Sequence, residues 1–197
     1  MTLPTFRRVL PVLCTILLAA CNHAPPPWQL NDVSGHLPDL QFDLTSDSGK
    51  PTRAADFRGK YVLMYFGYTH CPDVCPLTLV HLHLVMQKLG KDADKVRILF
   101  VSVDPARDTP RVLHQYVTAF DPRVVGLTGT PDRIAAMAKR YRAAFNRNAA
   151  QPGGGYEVSH SSAIYVFDRR GRARLLGTST DPAEEITHDL KLLMRQE

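Results

Sequence analysis

The sequence predicts an α/β domain with a mixed central sheet flanked by helices. Three observations carry that expectation. First, Lys60–Phe66 and Val96–Val103 are continuous apolar runs, the pattern of central strands covered on both faces. Second, stretches of helical periodicity separate the strand-like runs, two of them opening on Thr109–Pro110 and Thr130–Pro131; proline in a first helical turn gives up no hydrogen bond. Third, Ala163–Phe167 and Ala173–Leu176 flank a turn at Asp168–Gly171. That hairpin adds antiparallel strands to a sheet whose other members are joined through helices.

In chain order, Leu40–Leu44 alternates as a strand and meets a turn at Ser48–Gly49, giving an N-terminal β-hairpin extension. The central strand Lys60–Phe66 stops at Gly67. A helix from Cys75 to Leu89 follows, with Leu79, Leu82, Val85, Met86 and Leu89 at steps of three and four, Pro76 in its first turn and Gly90 at its end. After the strand Val96–Val103 come a helix to about Phe120, a short strand Val124–Leu127 and a helix ending near Phe145. The stretch 146–156, with three consecutive glycines at Gly153–Gly155, is expected as a mobile loop. Pro182–Arg195 closes the domain as a helix. No internal repeat is visible.

The N-terminus is read separately. Arg7 and Arg8 precede an apolar run, Val9–Leu18, too short to span a bilayer comfortably. Leu18-Ala19-Ala20-Cys21 then resembles the lipobox of bacterial lipoproteins, so residues 1–20 are expected as a signal peptide and Cys21 as a lipidated residue. Pro25–Pro27 favours an extended spacer. Residues 21–35 are thus expected as an anchor and tether, and 36–197 as the folded domain. This places the chain in a bacterial cell envelope, lipid-anchored to a membrane and facing the periplasm. The net charge of +5 falls to +3 once Arg7 and Arg8 leave. With no basic stripe, a nucleic-acid partner is not implied; Arg169–Arg174 brackets a turn.

With Cys14 in the expected signal peptide and Cys21 expected to carry the lipid, two cysteines remain in the domain, Cys71 and Cys75. They lie beyond the carboxyl end of the central strand, where a helix begins and where chemistry sits in sheets of this kind. Strand, cysteine loop, helix, late hairpin and closing helix form the thioredoxin-like arrangement. A helix start favours a thiolate. A loop this short makes a weak structural staple, and its three intervening residues are one more than a thioredoxin dithiol has. Residues four apart in near-helical backbone share a face, so both sulfurs can meet one object. Thiolates favour Cu(I), then zinc, and a closed zinc site needs four ligands. An imidazole would complete a three-coordinate copper site. Candidates are His70, His81, His83, His114 and His160, the last placed to swing over the cysteines on its loop.

Three segments resemble the Sco/SenC family: Tyr65–Pro76 with its CPDVCP core, Ser102–Pro110 (SVDPARDTP), and His160–Asp168 (HSSAIYVFD) followed by Gly171. They stand in the family's order, and the resemblance extends from about Leu40 to Leu193. It implies a thioredoxin-like copper chaperone that delivers copper to, or reduces the cysteines of, the copper A site in subunit II of cytochrome c oxidase. Carried over, Cys71, Cys75 and His160 are the ligands of one copper, Cu(I) or Cu(II), per monomer. Asp104 is expected to orient a ligand or partner, and Asp73 to tune the cysteines or meet a partner. A copper donor and a thiol reductant of the periplasm are further implied partners. The alternative is a thiol–disulfide oxidoreductase that uses Cys71 and Cys75 as a redox pair with no essential metal. A peroxidase is disfavoured, because no third cysteine remains in the domain to resolve a sulfenic acid. The departure from the family is the lipobox, where many members carry a transmembrane helix.

Overall fold

The computed structural model describes residues 28–149 and 155–196. Fourteen principal elements build it: β1 (Asn31–Asp32), β2 (Asp43–Ser46), β3 (Pro51–Arg53), β4 (Tyr61–Gly67), α1 (Val74–Leu89), β5 (Val96–Ser102), α2 (Pro110–Thr118), β6 (Val124–Thr128), α3 (Pro131–Arg140), β7 (Phe145–Arg147), β8 (Val158–His160), β9 (Ala163–Phe167), β10 (Ala173–Thr178) and α4 (Ala183–Arg195). Eight strands form one sheet in the order β1-β10-β9-β4-β5-β6-β2-β3, and β7 pairs with β8 outside it. β4, β5 and β6 run parallel, while β9 lies antiparallel on the other side of β4. The expected mixed sheet flanked by helices is therefore present, with the β2–β3 hairpin at one edge.

The centre of the sheet is its driest part. All seven residues of β4 are buried, and Leu63, Met64, Tyr65, Ile98, Leu99, Phe100 and Phe167 are fully enclosed. Burial on both faces explains why these strands read as unbroken apolar runs. α1 turns Cys75, Leu79, Leu82, Val85, Met86 and Leu89 inward and packs beside α4. The Thr-Pro starts are real caps. Thr109 Oγ1 accepts from the Val112 amide at 3.3 Å, and Thr130 Oγ1 from the Arg133 amide at 3.4 Å. Gly90 ends α1 at φ 59°, a conformation that favours glycine.

Four expectations need correction. The strand placed at Leu40–Leu44 forms at Asp43–Ser46, while the Leu40 amide bonds outside the ladders to the Gly171 carbonyl at 2.7 Å. The helix expected to reach Phe145 ends at Arg140, because Arg142 takes φ 54° and turns the chain toward β7. The segment 146–156 is not wholly a loop: Asn146 and Arg147 pair with Ser159 and Val158, and Phe145 with His160. The tether expected to run through residue 35 gives way to the fold earlier. Asp189 accepts from the Gln29 and Leu30 amides at 2.8–3.1 Å, and Asn31 and Asp32 pair with β10. Residues 1–27, which include the expected signal peptide and Cys21, lie outside the described residues. Among the described residues, no helix is long and apolar enough to cross a membrane.

Candidate metal centre

β4 delivers the chain to the site. Gly67 ends the strand where two side chains close in: an added Cβ would lie 2.7 Å from Phe100 Cε2 and 2.8 Å from Cys75 Sγ. Only a residue without a side chain lets this strand end pass the sulfur. The next turn is clasped from below by Asp108, whose carboxylate accepts from the Thr69 amide at 3.1 Å, Thr69 Oγ1 at 2.6 Å and Ser102 Oγ at 2.6 Å. Burial raises the Asp108 pKa, although these hydrogen bonds oppose the rise. Asp108 thus ties the approach to Cys71 to the end of β5.

Cys71 is partly exposed and Cys75 is buried in the first turn of α1; both are free thiols. The Cys75 amide donates to Cys71 Sγ at 3.4 Å, which ties that sulfur to the first turn of α1. Burial pushes the Cys75 thiol far above its ordinary pKa. Tyr65 Oη, also buried, donates toward Cys75 Sγ at 3.9 Å.

His160 closes the group from β8. Its Nε2 lies 3.2 Å from Cys75 Sγ, and its Nδ1 is 3.0 Å from the Ser161 carbonyl. A carbonyl can only accept, so Nδ1 carries the proton and Nε2 turns its lone pair to the sulfurs. Burial lowers the His160 pKa, keeping the ring neutral as a ligand must be. Tyr65 and Tyr68 hold the imidazole edge-on, with ring centroids 5.8 and 5.7 Å away. Ligand atoms of Cys71, Cys75 and His160 all lie within 4.8 Å of one another. Two sulfurs and one neutral nitrogen are a soft donor set suited to Cu(I).

The other histidines stay apart from this group. His70 Nδ1 meets Thr69 Oγ1 at 3.0 Å. His83 pairs with Asp121 at 2.9 Å and His114 with Asp47 at 2.8 Å. His81 remains on α1 outside the cluster. Asp73 is exposed beside the cysteines and makes no cap bond through its side chain. Asp104 is buried, but its carboxylate is bonded to Arg107 Nε and, at 2.7 Å, to Tyr156 Oη; its reach to the site is through the hairpin that carries His160. The Tyr156 ring lies between two guanidiniums, Arg107 at 3.7 Å and Arg147 at 3.5 Å from its centroid. Arg107 also donates to the Tyr156 carbonyl at 3.1 Å. Sequence reasoning missed Tyr156, Arg107, Tyr65, Tyr68 and Asp108 as parts of the site. Tyr65, Tyr68, Arg107 and Asp108 stand inside the quoted motifs, but the motifs do not say what their side chains meet; Tyr156 stands outside them, 52 residues from its partner Asp104.

Fold and site together define a thioredoxin-like domain whose CxxxC pair and distant histidine form a soft-metal cluster at the carboxyl ends of the central strands. The SCO1/SenC family model matches residues 34–195, and the chain belongs to that family. It is 41% identical over 133 residues to the SCO2 protein of Saccharomyces cerevisiae, covering 66% of this chain and 44% of that one. The likeness to Mus musculus SCO2 is 38% over 152 residues, 76% of this chain and 60% of the relative. The chain thus spans about half the length of these relatives. Among solved structures it resembles ScoI of Bradyrhizobium japonicum with copper bound, with TM-score 0.72, 41% identity, and coverage of 79% of this chain and 98% of that one. Arabidopsis thaliana ScoI with copper bound gives TM-score 0.75 and 32% identity, covering 81% of this chain and 99% of that one. Yeast Sco1, 33% identical over the matched part, has likewise been solved with copper bound. One expectation is overturned: the curated relatives are named as mitochondrial proteins of yeast, mouse and human, against a location in a bacterial cell envelope.

Proposed function

We propose that this chain is a copper chaperone. It holds one copper ion through Cys71, Cys75 and His160 and passes it to the copper A site in subunit II of cytochrome c oxidase. The observation that carries the reading is the approach of His160 Nε2 to 3.2 Å from Cys75 Sγ, across 85 residues of chain. Copper here is cargo. A three-donor set leaves it short of a closed shell, so an incoming ligand can bind before an outgoing one leaves. The opening lined by Tyr68, Cys71, Pro72, Asp73, Val74 and His160 gives that ligand its path. Asp73, exposed at its rim, faces the arriving partner. Asp104 acts at one remove, by fixing the hairpin that presents the imidazole. In this reading the domain is tethered at a membrane through Cys21.

The deciding experiment is copper reconstitution of the reduced protein, wild type against His160→Ala. The wild type retains one equivalent, with sulfur and nitrogen both seen at the metal by X-ray absorption. The variant loses the nitrogen and binds at least about tenfold more weakly. Equal retention with unchanged spectra would overturn the assignment.

A second reading draws on the unequal burial of the two thiols. Cys71, partly exposed and facing the Cys75 amide, is placed to attack a partner disulfide. Buried Cys75 then displaces the partner from the mixed disulfide, so that the partner leaves reduced and this pair oxidised. Thiol–disulfide exchange that survives His160→Ala while copper binding weakens separates the two activities.

A further inference from the structure

α1 is apolar on two sides. Its inner face fills the core. On the opposite face Val74, Leu77, Val80 and Leu84 are 42%, 62%, 48% and 42% exposed, and they are the exposed large hydrophobic side chains among the described residues. Their spacing of three, three and four residues aligns them as one stripe, about 15 Å long at 1.5 Å per residue. Single exposed apolar residues are ordinary. A domain whose exposed large hydrophobics all fall on one helix face is not, because the outer side of a surface helix is normally polar, and contiguous apolar surface marks a contact site.

We infer that this stripe is the docking face for the protein that receives copper from the site, and that this acceptor meets it with an apolar surface of its own. The inference rests on the chaperone reading above. The stripe is continuous with the metal centre: Val74 lies between the two cysteines and lines the same opening as Cys71 and His160. Ligand exchange requires the partner's donor atoms to reach the ion while a protein ligand still holds it, so the partner must cover this rim. A specific contact needs roughly 800 Å² on each side, more than the opening alone supplies. The footprint has to spread onto neighbouring ground, and α1 supplies an apolar strip running straight out from the cysteines. Its far end meets Lys88, paired with Glu184 at 2.7 Å, a charged border of the kind that rims an apolar interface core.

The test mixes the copper-loaded full chain, in detergent, with the copper-free, reduced copper A domain of subunit II, and measures copper on each protein after separation. Leu77→Glu, Leu84→Glu and the double variant are compared with wild type. Copper content and metal spectra of the donors should match wild type. The domain concentration for half-maximal transfer should rise about tenfold or more for each single variant, and further for the double. Leu84→Glu carries particular weight, since it stands more than two turns from Cys75. If wild type delivers copper and the variants deliver it equally well, the docking face is wrong while the chaperone reading stands. If wild type delivers none, the chaperone reading itself falls and takes this inference with it. Unchanged transfer with loss of self-association in sedimentation assigns the stripe to a second copy. Unchanged transfer with a lowered unfolding midpoint assigns it to the chain's own remaining residues. Either result overturns the proposal.

Discussion

The two halves of the metal centre are built differently. The sulfur half belongs to the middle of the fold: β4 is buried along its whole length, Cys75 lies in the core, and Asp108 holds the preceding turn with two hydrogen bonds from Thr69 and joins it to Ser102 with a third. The imidazole half stands on β7–β8, a two-stranded ribbon outside the main sheet. Few side chains tie that ribbon down, chiefly Tyr156 to Asp104 and Arg107, with Tyr65 and Tyr68 against the ring. A two-stranded ribbon is marginal alone. In the proposed copper site the sulfurs would therefore be the fixed ligands and His160 the one that can yield. Under the proposed chaperone function, this division would let one ligand exchange while the other two keep the ion in register.

Removing a fixed ligand should have the largest effect. Cys75→Ser replaces a soft donor with a hard one at the buried apex. Copper affinity is expected to fall by more than the roughly 100-fold that bounds outer-partner losses, as measured by competition with a copper chelator. A smaller loss than in His160→Ala would reverse the ranking of the two halves.

The pH response separates them next. Burial raises the Cys75 pKa and lowers that of His160. At neutral pH the free protein therefore holds a proton on Cys75 and none on the ligating nitrogen. Copper needs the thiolate, so its uptake expels the Cys75 proton, and binding tightens as pH rises, about tenfold per unit for each proton released. Calorimetry in buffers of differing ionisation heat counts those protons. His160→Ala should leave the count unchanged, whereas Cys75→Ser should lower it by one. An imidazole-dependent count would show that the ring, too, is charged before it binds.

Gly67→Ala probes the rigidity of the sulfur half. The new methyl would have to fit 2.7–2.8 Å from Phe100 and Cys75 Sγ. Overpacking of this kind costs about 1–3 kcal/mol, or a fall of roughly 2–10 °C in Tm for a chain of this size, readable by thermal unfolding. Retained stability would mean that the sulfur is free to move aside, and that this half is softer than the geometry implies.

Legibility in the sequence follows the same divide. The sulfur half is local: a strand, a glycine, two cysteines four apart and a helix start stand within 23 residues of chain between Tyr61 and His83, and periodicity and proline placement read them correctly. The Thr-Pro caps were equally local. His160 was one histidine among five, because spacing says nothing about a contact spanning 85 residues, and its selection came through family resemblance. Asp108 read as part of a helix start, yet its carboxylate serves Thr69, 39 residues earlier. Tyr156 sat in a stretch read as a glycine-rich loop. β7 and β8 are three residues each, with Phe145 and Val158 as their apolar members, too short a run for a period of two to show. The β2 strand shifted by a few residues because Leu40 is buried by a turn contact with Gly171, which mimics strand alternation.

The smallest expected effect tests the weaker half most directly. Tyr156→Phe keeps the ring between Arg107 and Arg147 but removes the hydroxyl that donates to Asp104 at 2.7 Å. Asp104 keeps its bond to Arg107, so no buried carboxylate is stranded and the domain should unfold at nearly the wild-type temperature. What changes is the restraint on the ribbon: one hydrogen bond of about 1 kcal/mol, worth about fivefold in the population that presents His160 to the sulfurs. Copper affinity should weaken by about that factor, with the sulfur signal in X-ray absorption unchanged and the nitrogen shell less ordered. Tyr156→Ala, which also abolishes the cation–π stack, should go further in the same direction. If both variants bind copper as wild type does, the ribbon is held by its own pairing with β7, and the imidazole is as fixed as the cysteines.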